Sequence, residues 1–128
     1  MTVEEYAAAG FEAPQQDSFS IYQLRNEDST RDYRFESYDR LQAAGLTVDK
    51  ANYTEVYAAP LTAGTTLEDI YRTFNVDYPA DFKGHSLSVS DVVVLHQNGQ
   101  DTAHYCDSVG FQQVPEFLRE NPLRTAEL

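Results

Sequence analysis

Two of the three histidines, His96 and His104, lie on either side of an Asn98-Gly99 dipeptide. Asn-Gly is the dipeptide most typical of a two-residue turn in a β-hairpin. In that register His96 faces Asp101 across the hairpin. Because successive side chains of a strand point to opposite faces, His96 and His104 would lie on opposite sides of the ribbon and could not bind one metal ion together. We therefore expect no metal site.

The register of this hairpin leaves two alternatives open. A longer or bulged turn would shift the register and reopen the question of a site shared by the two histidines. We interpret His96 and Asp101 as a surface contact between neighbouring strands, with a carboxylate that orients an imidazole as the alternative.

The third histidine, His85, precedes a serine-rich segment, residues 86–90, that ends at Asp91. A serine nucleophile normally needs a sharp turn such as Gly-x-Ser-x-Gly and a base beside it, and neither is apparent here. We interpret the hydroxyls and Asp91 as hydrogen-bond partners of the backbone that enters a buried strand. The alternative is a small hydrolase-like enzyme that uses His85 and Asp91 in a loop-borne site.

Cys106 is the only cysteine, and no lysine or arginine stands near it in the sequence to stabilise a thiolate. We expect it to be a small buried hydrophobe. Glycine-rich phosphate loops, paired zinc-binding cysteines and calcium-loop patterns are also absent from the sequence. The sequence therefore predicts a protein that is not an enzyme, with no catalytic residue and no cofactor.

The 9 basic and 21 acidic side chains give a net charge of −12, which repels a phosphate backbone and argues against direct nucleic-acid binding. The longest apolar run is only strand-sized, far short of the roughly 18 residues of a membrane span. The acidic first residues do not resemble a secretion signal, and a lone cysteine cannot form an intrachain disulfide. We expect a cytoplasmic protein that does not enter a membrane.

The acidic residues are spread along the chain and are densest in residues 27–39, where they alternate with arginines and aromatic residues. We predict that this segment meets a basic partner protein, the acids steering the encounter and a tyrosine acting as anchor. The alternative is a solvated surface with salt bridges, whose aromatic rings belong to the core. The candidate partner-binding residues are Glu27, Asp28, Asp32, Tyr33, Glu36, Tyr38 and Asp39.

The elements that must position these residues follow from apolar periodicity and from turn residues. The length fits one domain. The predicted elements are a strand over 19–25, a helix between Ser37 and Gly45, a strand over 53–59, a helix over 65–74 capped at Thr65 or Thr66, the Asn-Gly hairpin, a short strand over 109–113 and a short helix from Pro115 to Leu118. This order predicts a small single α+β domain, mainly an antiparallel sheet with helices packed on one face.

The predicted domain occupies residues 19–120. Residues 1–18 are predicted as a short helix, over residues 3–9, and a linker. Residues 121–128 are predicted to be a C-terminal tail that begins at Asn121-Pro122.

Five segments together resemble the YodL-like domain. They are residues 21–25 (IYQLR), 31–35 (RDYRF), 67–71 (LEDIY), 84–93 (GHSLSVSDVV) and 110–111 (GF). The similarity spans about residues 19–120, and its most specific piece is 84–93. Such domains occur in Gram-positive bacteria, often in genes of conjugative or phage-derived elements. The resemblance implies a protein of a mobile genetic element and supplies no catalytic residue.

Small acidic proteins of mobile elements often inhibit host nucleic-acid enzymes, including restriction and CRISPR nucleases, although this is an association and not a property of the family. We therefore expect a non-enzymatic protein-binding domain that inhibits a host or defence protein by occupying its basic surface. In the sharper version the carboxylates mimic the phosphates of DNA. A second binding alternative is an apolar contact with another host protein, including a cytoskeletal one, for which Tyr33 or Tyr38 would matter more than the acids.

Overall fold

A computed structural model describes residues 17–118 of the chain. These residues form five strands, two α-helices and three short 3-10 helices. The strands are β1 (Ser18–Leu24), β2 (Tyr53–Pro60), β3 (Val92–Gln97), β4 (Gln100–Cys106) and β5 (Phe111–Gln113). The α-helices are α1 (Tyr38–Ala43) and α2 (Leu67–Val76), and the 3-10 helices cover Asp28–Tyr33, Lys50–Asn52 and Pro115–Leu118. The predicted helix over residues 3–9 and the predicted tail lie outside the described residues.

The five strands form one sheet in the order β2-β1-β3-β4-β5, and each pair of neighbours is antiparallel. The α+β prediction is confirmed. The hairpin register is also confirmed, since His96 pairs with Asp101 and Val93 pairs with His104. Asn98 and Gly99 have φ angles of 54° and 76°, the left-handed conformation that a two-residue turn of this type requires.

The two α-helices cover opposite faces of the sheet. Val92 and Val94 pack in one cluster with Leu41 of α1. Val93, which lies between them on β3 and points to the other face, packs in a second cluster with Ile70 of α2. The expectation of helices on one face therefore needs correcting. The physical reason is that the continuous apolar run of β3 buries both of its sides, so both need a cover.

The caps of the helices follow the sequence closely. The side chain of Ser37 accepts a hydrogen bond from the Arg40 amide at the start of α1. Gly45, at a φ of 73°, ends that helix by reversing the chain. Thr66 and Asp69 form the reciprocal capping box of α2, so the second of the two predicted caps is the one that forms. None of the described helices is long and apolar enough to cross a membrane.

Candidate functional site

The buried side chain of Gln23, on β1, holds the loop that joins α2 to β3. Its Nε2 donates to the carbonyl oxygen of His85 at 2.8 Å, and its Oε1 accepts from the His85 amide at 3.2 Å. Nε2 also donates to Oδ2 of Asp91 at 3.1 Å. One side chain thereby binds both ends of the segment between residues 85 and 91. Sequence reasoning missed Gln23, because its partners lie more than 60 positions away and only the fold brings them together.

Asp91 is the buried charge-bearing group at this place, with 2% of its side chain exposed. Its Oδ2 accepts hydrogen bonds from the Ser88 amide at 2.8 Å and from Gln23. Its Oδ1 accepts none from any described residue. Burial raises the pKa of the Asp91 carboxyl to about 7, against the lowering effect of these hydrogen bonds and of His85. The carboxyl group can therefore change its charge near neutral pH.

His85 lies beside this carboxylate at the surface. Its Nδ1 is 3.9 Å from Oδ2 of Asp91, and 56% of its side chain is exposed. Nδ1 is also 2.8 Å from the carbonyl oxygen of Ser86. Because a carbonyl oxygen only accepts, this contact requires a proton on Nδ1, whereas the Nε2 of Gln23, 3.2 Å from the same nitrogen, is itself a donor. The two residues of the loop-borne alternative are thus brought together.

A pocket of about 320 Å³ opens above this cluster, and we name it the Asp91 pocket. Its lining residues are Leu24, Asn26, Arg34, Phe35, His85, Ser90 and Asp91. Two of them have left-handed backbone angles that non-glycine residues rarely adopt, with φ of 57° at Phe35 and 89° at Ser90. Such strained residues cluster at ligand sites, because the surrounding structure must hold them in place.

Hydrogen bonds hold the strained backbone at Ser90, whereas the side chain of Phe35 lies in solvent. The Ser90 amide donates to the carbonyl oxygen of Cys106 at 2.9 Å, and its own carbonyl oxygen accepts from the hydroxyl of Tyr53 at 2.7 Å. Phe35 has 68% of its surface exposed and belongs to neither core cluster. The chain therefore keeps a strained aromatic residue in solvent at the edge of the pocket.

The family model of the YodL-like domain matches residues 18–117. The chain belongs to the YodL-like domain family. The match covers β1 with Gln23, the loop with His85 and Asp91, and every lining residue of the Asp91 pocket, so this site lies wholly within the YodL-like domain. No curated protein and no solved structure shows significant similarity to the chain.

The candidate partner-binding residues of the YodL-like domain lie on the segment from Glu27 to Asp39, which we call the acidic segment. Its carboxylates are exposed except at Glu36, which is half-buried and 3.0 Å from Nε of Arg40. Asp28 pairs with Arg31 at 3.0 Å, between two exposed side chains. Exposed pairs of this kind contribute at most about 1 kcal/mol to stability. The acids are therefore available to a partner at little cost to the fold.

The two tyrosines of the acidic segment are half-buried against the core cluster of α1. The hydroxyl of Tyr38 donates to Glu116 at 2.9 Å, and its amide donates to Asp107 at 3.1 Å. These contacts bring two further carboxylates, from the other end of the chain, beside the acidic segment. The ring that projects freely is Phe35, which the sequence reasoning did not single out.

His96 completes a hydrogen-bonded chain across three strands of the YodL-like domain. Its Nδ1 lies 2.6 Å from Oδ1 of Asp101, and its Nε2 lies 3.1 Å from Oγ of Ser20. The order Ser-His-Asp is that of a hydrolytic triad, but Ser20 is only 5% exposed and pairs with Ala58 and Val94 within the sheet. Its backbone N–H is committed to the sheet ladder and cannot serve as an oxyanion donor. We interpret the chain as a cross-strand contact.

The remaining histidine and the cysteine are placed as structural groups. His104 lies on the other face from His96, where its Nε2 is 2.9 Å from Oγ1 of Thr102, and burial lowers its pKa. Burial also raises the pKa of the Cys106 thiol to about 12. Within residues 17–118 no group of three or more His, Cys, Asp or Glu side chains is arranged to hold a metal ion.

Proposed function

We propose that this YodL-like domain binds another protein through its acidic segment, with Phe35 as the anchor, and acts by occupying a basic surface of that protein. The observation that carries the proposal is the exposure of Phe35 at a left-handed φ of 57°. An exposed aromatic ring in a strained backbone is unfavourable in the free protein. Burying such a ring at an interface contributes about 1.5–3 kcal/mol.

The charges around Phe35 support a basic partner. Asp32 and Asp39 are exposed on either side of it, and Glu36 follows it directly. Carboxylates at the rim of an interface mainly raise the rate of encounter and exclude acidic surfaces. In protein interfaces, aromatic residues near the centre commonly contribute most of the binding energy, and the residues at the rim contribute little.

The charge of the chain indicates what kind of partner protein it binds. A net charge of −12 favours a protein with a basic surface. We propose a cytoplasmic host or defence protein, such as a restriction or CRISPR nuclease, which the domain inhibits without catalysis. In the sharper version, the carboxylates of the acidic segment occupy the positions of DNA phosphates. The apolar version, with a cytoskeletal or other host protein, would depend on Tyr33 or Tyr38, whose rings are half-buried.

Affinity capture with matched variants tests the proposal. The full chain is used to capture proteins from a bacterial lysate at about 0.1 M and about 1 M salt, where screening lengths are roughly 10 Å and 3 Å. We expect a basic protein to be retained at low salt and released at high salt, and to be lost with Phe35→Ala. Retention that is insensitive to both salt and Phe35→Ala would contradict the proposal.

A second candidate function is the hydrolase-like alternative at His85 and Asp91. The observation that favours it is their contact at 3.9 Å beside a pocket, with an Asp91 pKa raised by burial to about 7. A screen of ester and amide substrates tests it. Turnover by the wild-type chain that is lost in His85→Ala would support catalysis over binding.

A further inference from the structure

The Asp91 pocket has a wall atom whose hydrogen-bonding capacity is unused. Oδ2 of Asp91 accepts from Ser88 and Gln23, whereas Oδ1 accepts from no described residue. Every fully shielded side-chain nitrogen or oxygen among the described residues has a hydrogen-bond partner. Asp91 keeps a small exposed fraction and lines the pocket, and we infer that Oδ1, the oxygen without a partner among the described residues, is the one that faces it. A carboxylate that is 2% exposed thus offers one free acceptor to the pocket.

The side chains that line the Asp91 pocket determine whether an anion, an apolar group or a cation can bind there. An anion would be repelled by the Asp91 carboxylate. The guanidinium of Arg34, which also lines the pocket, donates from Nη2 to the carbonyl oxygen of Arg25 at 3.1 Å and to Oδ1 of Asn26 at 2.6 Å. These acceptors are neutral and Arg34 keeps its charge, so a bound cation must place its head nearer to Asp91 than to Arg34. An apolar occupant would seal Oδ1 away from water without a partner, which is unfavourable for a buried polar atom. A cation that can donate hydrogen bonds is attracted by the Asp91 carboxylate and also gives Oδ1 a partner.

The size and position of the pocket indicate which kind of cation it can bind. A volume of about 320 Å³ is at the lower end of the range for ligand pockets, roughly 300–1,000 Å³, and suits one side chain or a small molecule. Leu24 and Phe35 line it together with Asp91, so that an apolar wall and a carboxylate are both present. Lysine and arginine combine a long apolar stem with a charged head in the same way. Phe35 also belongs to the acidic segment, so a partner lying on that segment reaches the pocket.

We propose that the Asp91 pocket receives a basic side chain of the partner protein, with its cationic head at Oδ1 of Asp91 and its aliphatic stem against Phe35 and Leu24. This assignment rests on the proposed function, in which a basic protein surface covers the acidic segment. The pocket then fixes the register of the partner, while the surface acids steer it.

The titratable neighbours of Asp91 determine how binding depends on pH. They are His85 on the loop, Tyr53 on β2, and Tyr105 and Cys106 on β4, and the charged Arg34 lines the same pocket. Burial raises the pKa of the two tyrosines and of the cysteine far above neutrality, so they stay uncharged. Burial also raises the pKa of Asp91 to about 7, so a cation must displace its proton below that pH. The affinity for a cation is then expected to fall up to tenfold per pH unit below about 7.

A small-molecule probe tests the assignment without the partner. The full chain is titrated with n-butylguanidinium, which has the head and stem of an arginine side chain, and with n-butylurea, its uncharged isostere. The Cγ resonance of Asp91 reports its pKa in protein labelled with ¹³C-aspartate. We expect the guanidinium, at saturation, to lower the Asp91 pKa by at least one unit and to shift the amides of Ser88 and Phe35. We expect the urea to do neither.

Two variants give the matched comparison. Asp91→Asn keeps an oxygen for Ser88 and Gln23 and places an amide NH₂ toward the pocket, and we expect it to lose guanidinium binding at least tenfold. Asp77→Asn removes an exposed carboxylate outside both the pocket and the acidic segment, and binding should remain within twofold of wild type. If Asp91→Asn does not fold, Phe35→Ala replaces it, with a weaker affinity expected because part of the apolar wall is gone.

Equal binding of the urea and the guanidinium, or an Asp91 pKa that does not move, would overturn the assignment. So would guanidinium shifts confined to the surface acids. These outcomes leave the proposed function standing if Phe35 and salt still control capture of a basic protein. Conversely, guanidinium binding at Asp91 without any such capture would refute the proposed function, and with it the partner side chain as the occupant, and would mark the pocket as a site for small organic cations.

Discussion

Gly84 lies so close to Gln23 that a Cβ atom on residue 84 would be 2.5 Å from Oε1 of the glutamine. Real Cβ atoms do not approach other atoms this closely, so a side chain at residue 84 would displace the amide that holds the loop. Because that amide positions both His85 and Asp91, the glycine indirectly shapes the pocket. The glycine at the start of the 84–93 segment thus has a steric reason, which the sequence pattern did not reveal.

Substitution of Gly84 tests this contact. Gly84→Ala is expected to lower the free energy of unfolding by about 1–3 kcal/mol, the usual range for forcing extra atoms into a packed site. Urea denaturation measures the change. In a Gln23→Ala background the same substitution should cost less, because the clashing oxygen is gone. Equal costs in the two backgrounds would show that the contact with Gln23 is not the cause.

The pH dependence of stability tests the burial of Asp91. Burial raises the pKa of Asp91 to about 7 in the folded protein, whereas an exposed aspartate titrates near 4. Between these values the folded state binds more protons than the unfolded state, so the contribution of Asp91 to stability falls as pH rises from about 4 to 7. The slope from this group is at most about 1.4 kcal/mol per pH unit.

The matched comparison is wild type against Asp91→Asn, by urea denaturation at several pH values in that window. The difference between their free energies of unfolding should shift in favour of the variant as pH rises. Parallel profiles would mean that the carboxyl group titrates alike in the folded and unfolded states.

Phe35 separates the requirements of binding from those of the fold. Phe35→Ala should change the free energy of unfolding by no more than about 0.5 kcal/mol, because the ring is exposed. Phe35→Gly should stabilise the domain by up to about 1 kcal/mol, since glycine adopts a φ of 57° without strain. Denaturation measures both. A loss of more than about 2 kcal/mol in Phe35→Ala would show that the ring is needed for folding.

Cys106 should be unreactive in the folded protein. Burial raises the pKa of its thiol to about 12, so almost no thiolate exists at neutral pH. A thiol reagent such as dithionitrobenzoate should label it only after denaturation with urea, which exposes the thiol. Fast labelling without denaturant would contradict its placement inside the sheet.

The local features of this fold were predictable, because short-range rules decide them. Asn98-Gly99 set the hairpin register, and the Thr66 capping box set the start of α2. Only the continuous apolar run of β3 indicated that both faces of the sheet are covered. The prediction of helices on one face did not take this run into account. Local order was therefore easier to predict than the arrangement of layers.

The site itself depends on contacts that no short-range rule contains. Gln23 and His85 are 62 positions apart, and Ser20 and His96 are 76 apart, so only the folded sheet reveals these pairs. Phe35 was missed for a different reason. Its left-handed backbone is one that bulky residues avoid, and propensity rules therefore predict against it.

The acidic segment carries the binding to the basic partner, and a comparison of two charge-reversed variants tests this most directly. The first replaces Asp28, Asp32 and Asp39 with lysine, and the second replaces Glu68, Asp77 and Asp81, exposed acids on α2 and the loop after it, in the same way. Both raise the net charge by the same amount. We predict that capture of the basic partner at low salt is abolished in the first variant and kept in the second. Equal capture by both variants, or equal loss, would contradict the claim.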